Sequence, residues 1–282
     1  MRMEKPPWLK VKAPSGESFE RTKRVVSEHG LRTVCTSSRC PNVPECWGRG
    51  EATLMILGEV CTRNCAFCSV PTGRPEGVDP TEPERMAHMV QETDIRHLVV
   101  TSVARDDLED QGACQFAAVA RGVEDASVEL LIPDMGARPD LLRAVVDSSP
   151  DVLGHNLETV RRLSPSVRDR RAGYDLSLEV LRTIKGIDPG IVTKSSLMLG
   201  LGERREEVLE AMDDMREAKV DLLTLGQYIR PKGCSLEVKE YLHPGRFEEY
   251  REEALDRGFH HVASAPLVRS SYRASEALDS IR

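Results

Sequence analysis

No stretch of this chain approaches the ~18 consecutive apolar residues that a bilayer-spanning helix needs. The N-terminus, Met-Arg-Met-Glu-Lys-Pro-Pro, lacks the apolar core of a secretory signal. These two absences predict a cytoplasmic protein, with no membrane partner and with reduced thiols. Basic residues are not in excess. The formal net charge is −7 and the isoelectric point is about 5.6, which argues against a nucleic-acid partner. Aromatics are sparse at 4%, hydrophobic residues make up 40% and charged residues 30%, a balance that suits one soluble globular enzyme. No internal repeat stands out. Gly200-Leu-Gly202 is too short for a phosphate-binding loop.

What the chain does have is cysteine in two patterned groups. Cys61, Cys65 and Cys68 form C-x3-C-x2-C straight after the apolar run Leu54–Leu57. Three thiolates can hold three corners of a 4Fe–4S cube, whereas an electron-transfer cube is normally closed by four. The fourth iron is then free for substrate. A zinc site would favour two cysteine pairs or Cys with His, and C-x3-C-x2-C with no histidine close after it fits that poorly. Cys35, Cys40 and Cys46 form an earlier C-x4-C-x5-C group, with Pro41, Asn42 and Pro44 between them. The prolines predict an irregular loop, neither helix nor strand, ordered by a bound metal cluster.

Apolar runs alternate with helical patterns over most of the chain. Strands are expected at 54–57, 97–103, 128–132, 152–155, 192–198 and 221–225. Helices are expected at 113–123, 138–147, 177–187 and 204–219. Six β-α units predict an α/β fold, a partial (β/α)6 TIM-like barrel with N- and C-terminal extensions and a wide open side. The expected division is an extension at 1–50 with the first cysteines, a barrel at 51–260 and a tail at 261–282. In such barrels, functional groups gather at the C-terminal strand ends. Thr101-Ser102, Arg105-Asp106-Asp107, Pro133-Asp134, His155-Asn156-Glu158, Lys194-Ser195-Ser196 and Gln227-Tyr228-Ile229-Arg230 are therefore expected on one rim.

Several residues read more plainly. His155 is expected to be structural, and Arg105 is suited to bidentate carboxylate binding. Cys114 on an apolar helix face reads as core, as do Met198, Met212 and Met215. Cys234 is not assigned to a cluster. Glu203-Arg204-Arg205-Glu206-Glu207 reads as a solvated helix face of mixed sign. Arg168-Asp-Arg170-Arg171 reads as solvent-exposed, with docking of an acidic protein as the lesser alternative.

The C-x3-C-x2-C loop resembles that of the radical S-adenosylmethionine enzymes. With Cys35, Cys40, Cys46 and the terminal Arg269-Ser270-Ser271-Tyr272, the chain resembles the lipoyl synthase family over nearly its whole length. The likeness includes Lys5-Pro-Pro-Trp8-Leu9-Lys10, Thr101 to Leu108, His155 to Val160, Thr193 to Ser196, Gly200 to Glu203 and Gly226-Gln227-Tyr228. The resemblance implies two 4Fe–4S clusters and S-adenosyl-L-methionine as cosubstrate. Cys61, Cys65 and Cys68 would hold the cluster that cleaves it. Cys35, Cys40, Cys46 and one serine, with Ser271 favoured over Ser270, would hold an auxiliary cluster that gives up sulfur. Phe67 would pack near the adenine, and Thr101, Ser102, Asn156 and Glu158 would contribute to cosubstrate binding. The implied reaction inserts sulfur at C6 and C8 of an octanoyl chain amide-linked to lysine. The implied partners are an octanoylated lipoyl carrier domain, from the glycine cleavage carrier protein or a 2-oxoacid dehydrogenase acyltransferase subunit, and an electron donor such as ferredoxin or flavodoxin. An enzyme similar to biotin synthase and a two-cluster electron carrier are the competing expectations. The chain departs from the family pattern at Ser37-Ser38, at Glu51 where threonine is usual, at Gln111, and at Lys232-Gly-Cys234-Ser235-Leu236.

Overall fold

The computed structural model describes residues 4–9, 17–37, 40 and 42–281. Lys10, Ser38, Arg39 and Pro41, which belong to segments singled out above, lie outside the described residues. Eight described strands form one sheet in sequence order. They are β1 (Arg32–Thr33), β2 (Glu51–Ile56), β3 (His97–Ser102), β4 (Ser127–Leu131), β5 (Val152–Gly154), β6 (Val192–Leu199), β7 (Leu222–Gln227) and β8 (His261–Ala265). The first pair is antiparallel, and every pair from β2 to β8 is parallel. All six expected strands form. One further parallel strand, β8, extends the sheet from β7.

The described helices are α1 (Glu17–Glu28), α2 (Val34–Ser37), α3 (Val43–Gly48), α4 (Glu82–Gln91), α5 (Ala113–Gly122), α6 (Pro139–Val146), α7 (Ser164–Val167), α8 (Tyr174–Ile187), α9 (Arg205–Glu217), α10 (Pro244–Asp256) and α11 (Ala274–Asp279). The first cysteine group is thus not wholly irregular. Cys35 sits on α2 and Cys46 on α3. Pro44 falls in the first turn of α3, where a missing N–H costs nothing, so it starts this helix instead of breaking it.

Each long helix buries one stripe. In α9 the stripe is Val208, Ala211, Met212 and Met215, at helical spacing, and the Arg204 backbone N–H donates to Glu207 Oε2 at 2.8 Å to cap the first turn. In α6 it is Leu141, Leu142, Val145 and Val146. These stripes cover the outside of the sheet in two apolar cores. Met86, Met89 and Phe116 anchor the core over β2 to β5, and Met212, Met215 and Phe247 the core over β6 to β8. Each such fully buried side chain contributes about 1.5–3 kcal/mol.

The sheet does not close on itself: β1 and β8 are its two edges. The gap is bridged by contacts from residues 42–53, which include the start of β2, to residues 267–276. Asn42 Nδ2 donates to Leu267 O at 2.7 Å, and Thr53 Oγ1 to Ser271 Oγ at 2.8 Å. Tyr272 OH and Arg273 Nη2 both donate to Glu45 Oε1, at 3.0 and 2.9 Å, and Arg49 pairs with Glu276. Gly226 permits the approach, because a Cβ there would stand 2.1 Å from Val268 O. This seam is where the first cysteine group and the R-S-S-Y segment meet.

Four residues depart from expectation. Cys114 is exposed, because the apolar stripe of α5 runs through Ala113, Phe116, Ala117 and Val119. Arg168 is buried and donates to Ser177 Oγ at 2.6 Å. Glu207 is also buried, held by Arg162 at 2.6 and 2.9 Å. Lys194 is not a rim residue. It points into the barrel, where Nζ lies 2.9 and 2.8 Å from the two Glu129 carboxylate oxygens.

Candidate cluster and cosubstrate site

β2 ends at Ile56, and Leu57 and Gly58 turn the chain through positive φ, at 67° and 94°. The loop that follows is tied down by its backbone. Cys61 N donates to Pro71 O at 2.8 Å, Thr62 N to Ala104 O at 3.1 Å, and Ala66 N to Val167 O at 2.9 Å. Arg63 lies between the first two cysteines and is buried. Its Nη2 reaches Asp106 Oδ1 at 2.7 Å and Asp134 Oδ1 at 2.9 Å, and Nε reaches Asp106 Oδ2 at 3.0 Å. One side chain thus joins the cluster loop to the ends of β3 and β4. Burial alone would raise the Asp134 carboxyl, but the Arg63 guanidinium holds it below the usual carboxylate range.

Each sulfur of the second group accepts backbone N–H bonds. Ala104 N and Arg63 N lie 3.3 and 3.4 Å from Cys61 Sγ. Asp169 N lies 3.3 Å from Cys65 Sγ, and Val70 N 3.5 Å from Cys68 Sγ. Donors aimed at sulfur stabilise thiolate, the form that binds iron. The free Cys65 thiol is nevertheless pushed up by burial, against the Asp169 N–H. A bound metal would reverse that, since a coordinating thiol is deprotonated.

Cys35, Cys40, Cys46, Thr53, Arg269 and Ser271 share a small cavity at the seam. The Cys35 and Cys46 thiols are pushed up by burial. Among the described residues, no three His, Cys, Asp or Glu side chains close on one metal ion. The thiols instead frame a space, and this donor set fits the corner irons of a cluster. Ser271 faces this space, whereas Ser270 lines only the larger cavity.

That larger cavity, about 1450 Å³, lies between the two cysteine groups. Cys35, Cys40 and Ser271 line one side, and Phe67, Cys68 and Thr101 another. It exceeds the ~300–1,000 Å³ of an ordinary small-molecule site. Phe67 packs against Val167, Leu201 and Tyr228, beside Met198. Thr101 Oγ1 donates to Leu131 O at 2.9 Å. Ser102 Oγ is buried without a partner among the described residues. Asn156 Nδ2 donates to Glu158 Oε1 at 3.2 Å, and the Glu158 carboxyl, raised by burial, acts electrostatically on Cys65 and Cys68. Ser102, Asn156, Glu158, Cys46, Cys61 and Cys65 do not themselves line the large cavity.

Other rim residues are structural. His155 bonds Ile132 O at 2.8 Å and Ser177 Oγ at 2.9 Å, and burial lowers it to about 4. Arg105 grips Asp107 with two 2.9 Å bonds, so the carboxylate it holds is its own chain's. Glu203 accepts the Gly200 and Leu201 N–H groups at 2.5 and 2.9 Å, filling the only anion nest that glycine pair offers. Arg63, Thr53 and Cys234 were not singled out from sequence as site residues. Cys234 Sγ donates to Cys68 O at 3.2 Å and packs the 230–238 loop onto the cluster loop. The Arg63 signal was its place inside C-x3-C, next to Asp106 and Asp134 on the expected rim.

Residues 55–215 match the family model for the radical SAM superfamily, and the chain belongs to it. The same fold occurs in Streptococcus suis SuiB bound to S-adenosylmethionine, with a TM-score of 0.61 and 13% identity over 79% of this chain and 54% of that one. Methylornithine synthase matches with a TM-score of 0.56 and 12% identity over 92% of this chain and 87% of that one. At the level of sequence, the lipoyl synthase of Symbiobacterium thermophilum is 54% identical over 96% of this chain and 86% of its own length. Those of Halorhodospira halophila and Pyrobaculum calidifontis are each 51% identical, over 99% and 98% of this chain and 85% and 96% of theirs. The chain is therefore a member of the lipoyl synthase family.

Proposed function

We propose that the chain inserts two sulfur atoms, at C6 and C8, into a protein-bound octanoyl-lysine. The observation that carries this is the meeting of both cysteine groups and Ser271 around connected space at one end of the barrel. When bound, the two 4Fe–4S clusters supply the electron that cleaves S-adenosyl-L-methionine to a 5′-deoxyadenosyl radical and the sulfide that enters the product. An unactivated alkyl C–H bond is beyond any protein base, so this cofactor chemistry is required.

The chain's own residues bind, aim and exclude water. Cys61, Cys65 and Cys68 hold the radical-generating cluster, with their sulfurs steadied by the N–H groups of Ala104, Asp169 and Val70. Cys35, Cys40, Cys46 and Ser271 hold the sacrificial one. Thr53 Oγ1, donating to Ser271 Oγ, fixes the serine at the seam. Serine oxygen is a harder and more replaceable iron ligand than thiolate, which suits a centre that is dismantled. Phe67 and Thr101 would border the cosubstrate, and Ser102, Asn156 and Glu158 would contribute to its binding. Leu9, Val34, Met55, Leu131 and Leu267 give the cavity an apolar wall suited to an octanoyl chain and to a radical that must not meet water.

The carrier is a lipoyl domain of the glycine cleavage protein or of a 2-oxoacid dehydrogenase acyltransferase, and the electron donor a ferredoxin or flavodoxin. No described helix is long and apolar enough to cross a membrane. The free cysteines suit a reducing cytoplasm. The test is anaerobic incubation with an octanoyl-lysyl peptide, S-adenosylmethionine and a reductant, followed by mass spectrometry. A gain of two sulfurs is expected. Changing Cys35, Cys40 or Cys46 to Ala should abolish that gain while 5′-deoxyadenosine still forms. Loss of both, with the first cluster intact, would contradict the division of labour.

A further inference from the structure

Glu51 is the first residue of β2 and is 2% exposed. Its two carboxylate oxygens have different surroundings. Oε1 accepts a hydrogen bond from Ser275 Oγ on α11. Oε2 is buried and has no hydrogen-bond partner among the described residues. The side chain lines the small cavity that also contains Cys35, Cys40, Cys46 and Ser271. Glu51 and Thr53 are two apart on one strand, so their side chains leave the same face, the face from which Thr53 reaches Ser271.

A buried carboxylate oxygen is costly unless a donor or a cation completes it. Thiols are weak donors, and here they serve as ligands for iron. Carboxylate oxygen is itself a hard iron ligand. We infer that Glu51 Oε2 would serve as an additional oxygen donor of the auxiliary iron–sulfur centre, in the same cavity as Ser271. The inference rests on the auxiliary centre assigned above. With a second oxygen donor in the cavity, an iron that lost the serine would still have a protein ligand within the site. Threonine, the usual residue of the family at this position, is shorter and lacks a carboxylate.

The test uses the full chain with Cys61, Cys65 and Cys68 changed to Ala, so that only the auxiliary centre assembles. It is reconstituted anaerobically with iron and sulfide. Iron per chain and the Mössbauer spectrum are read for the parent, Ser271→Ala, Glu51→Gln and the double variant. Ser271→Ala should keep about four irons. The double variant should fall to about three, with the EPR signal of a three-iron cluster. Glu51→Gln alone should change the spectrum of one iron site. Loss of the fourth iron in Ser271→Ala irrespective of residue 51, or its retention in the double variant, would overturn the proposal. Glu51→Thr asks the same question should the glutamine variant fold poorly. If the parent assembles no centre, the two-cluster reading falls and this proposal with it. A centre indifferent to residue 51 removes the proposal alone.

Discussion

Replacing Arg63 with Met should loosen the loop that carries Cys61, Cys65 and Cys68. Arg63 is 8% exposed, and its partner carboxylates at Asp134 and Asp106 are 1% and 23% exposed. Asp106 would still face Arg171 at 3.2 Å and so keep a cation. Among the described residues, Asp134 would keep only the Gly136 N–H at 3.0 Å and be left as a buried, unbalanced charge. Removing one partner of a buried pair costs about 3–5 kcal/mol. Because Asp134 carries most of the loss, the lower end, about 3 kcal/mol, is the expected value. At ~1.4 kcal/mol per factor of ten, a change borne entirely by the loop would release the radical-generating cluster to a chelator roughly a hundredfold faster. The assay pairs urea unfolding of the apo chain with chelator-driven iron release. Asp134→Asn in the same background should recover more than half of the loss, because the stranded charge is gone. A variant within ~0.5 kcal/mol of the parent, with no coupling between positions 63 and 134, would mean that Arg63 does not anchor this loop.

Other consequences follow from the same geometry. His155 is neutral and buried, at about 4 in the folded chain against an ordinary value of 6.5, so the unfolded chain binds more protons between those values. Stability should therefore be complete above pH 6.5 and fall as pH drops towards 4, by at most about 3 kcal/mol; urea midpoints against pH should be flatter in His155→Gln. Gly226→Ala would push the Val268 backbone away, and iron analysis should show loss of the auxiliary centre with the other retained. Ser271→Ala should abolish sulfur gain by the octanoyl-lysyl peptide, whereas Ser270→Ala, which leaves the seam cavity untouched, should keep most of it.

The chemistry was more legible in the sequence than its supports were. Cysteine spacing and the R-S-S-Y segment announce themselves locally, and most of the six expected strands are short runs rich in β-branched and aliphatic residues. β8 was hidden because His-Val-Ala-Ser-Ala has little β-forming character of its own, and its pairing with β7 makes it a strand. Arg63 reads as one charge in a loop, because its partners lie 43 and 71 residues away. Lys194 and Glu129, 65 residues apart, were likewise invisible as a pair. Pro44 in sequence points to an irregular loop, whereas a proline in the first turn fits a helix well. Cys114 lies one position off the buried stripe of α5, a phase difference that a short apolar helix conceals.

In this division of labour one cysteine group generates a radical and the other is consumed as sulfur donor. The most direct measurement begins with clusters assembled from sulfide of a heavy sulfur isotope, followed by a single turnover in unlabelled sulfide. Mass spectrometry of the octanoyl-lysyl peptide should then find both inserted sulfurs heavy. Light sulfur in the product, or heavy sulfur inserted equally well by a chain with Cys35, Cys40 and Cys46 changed to Ala, would contradict the account.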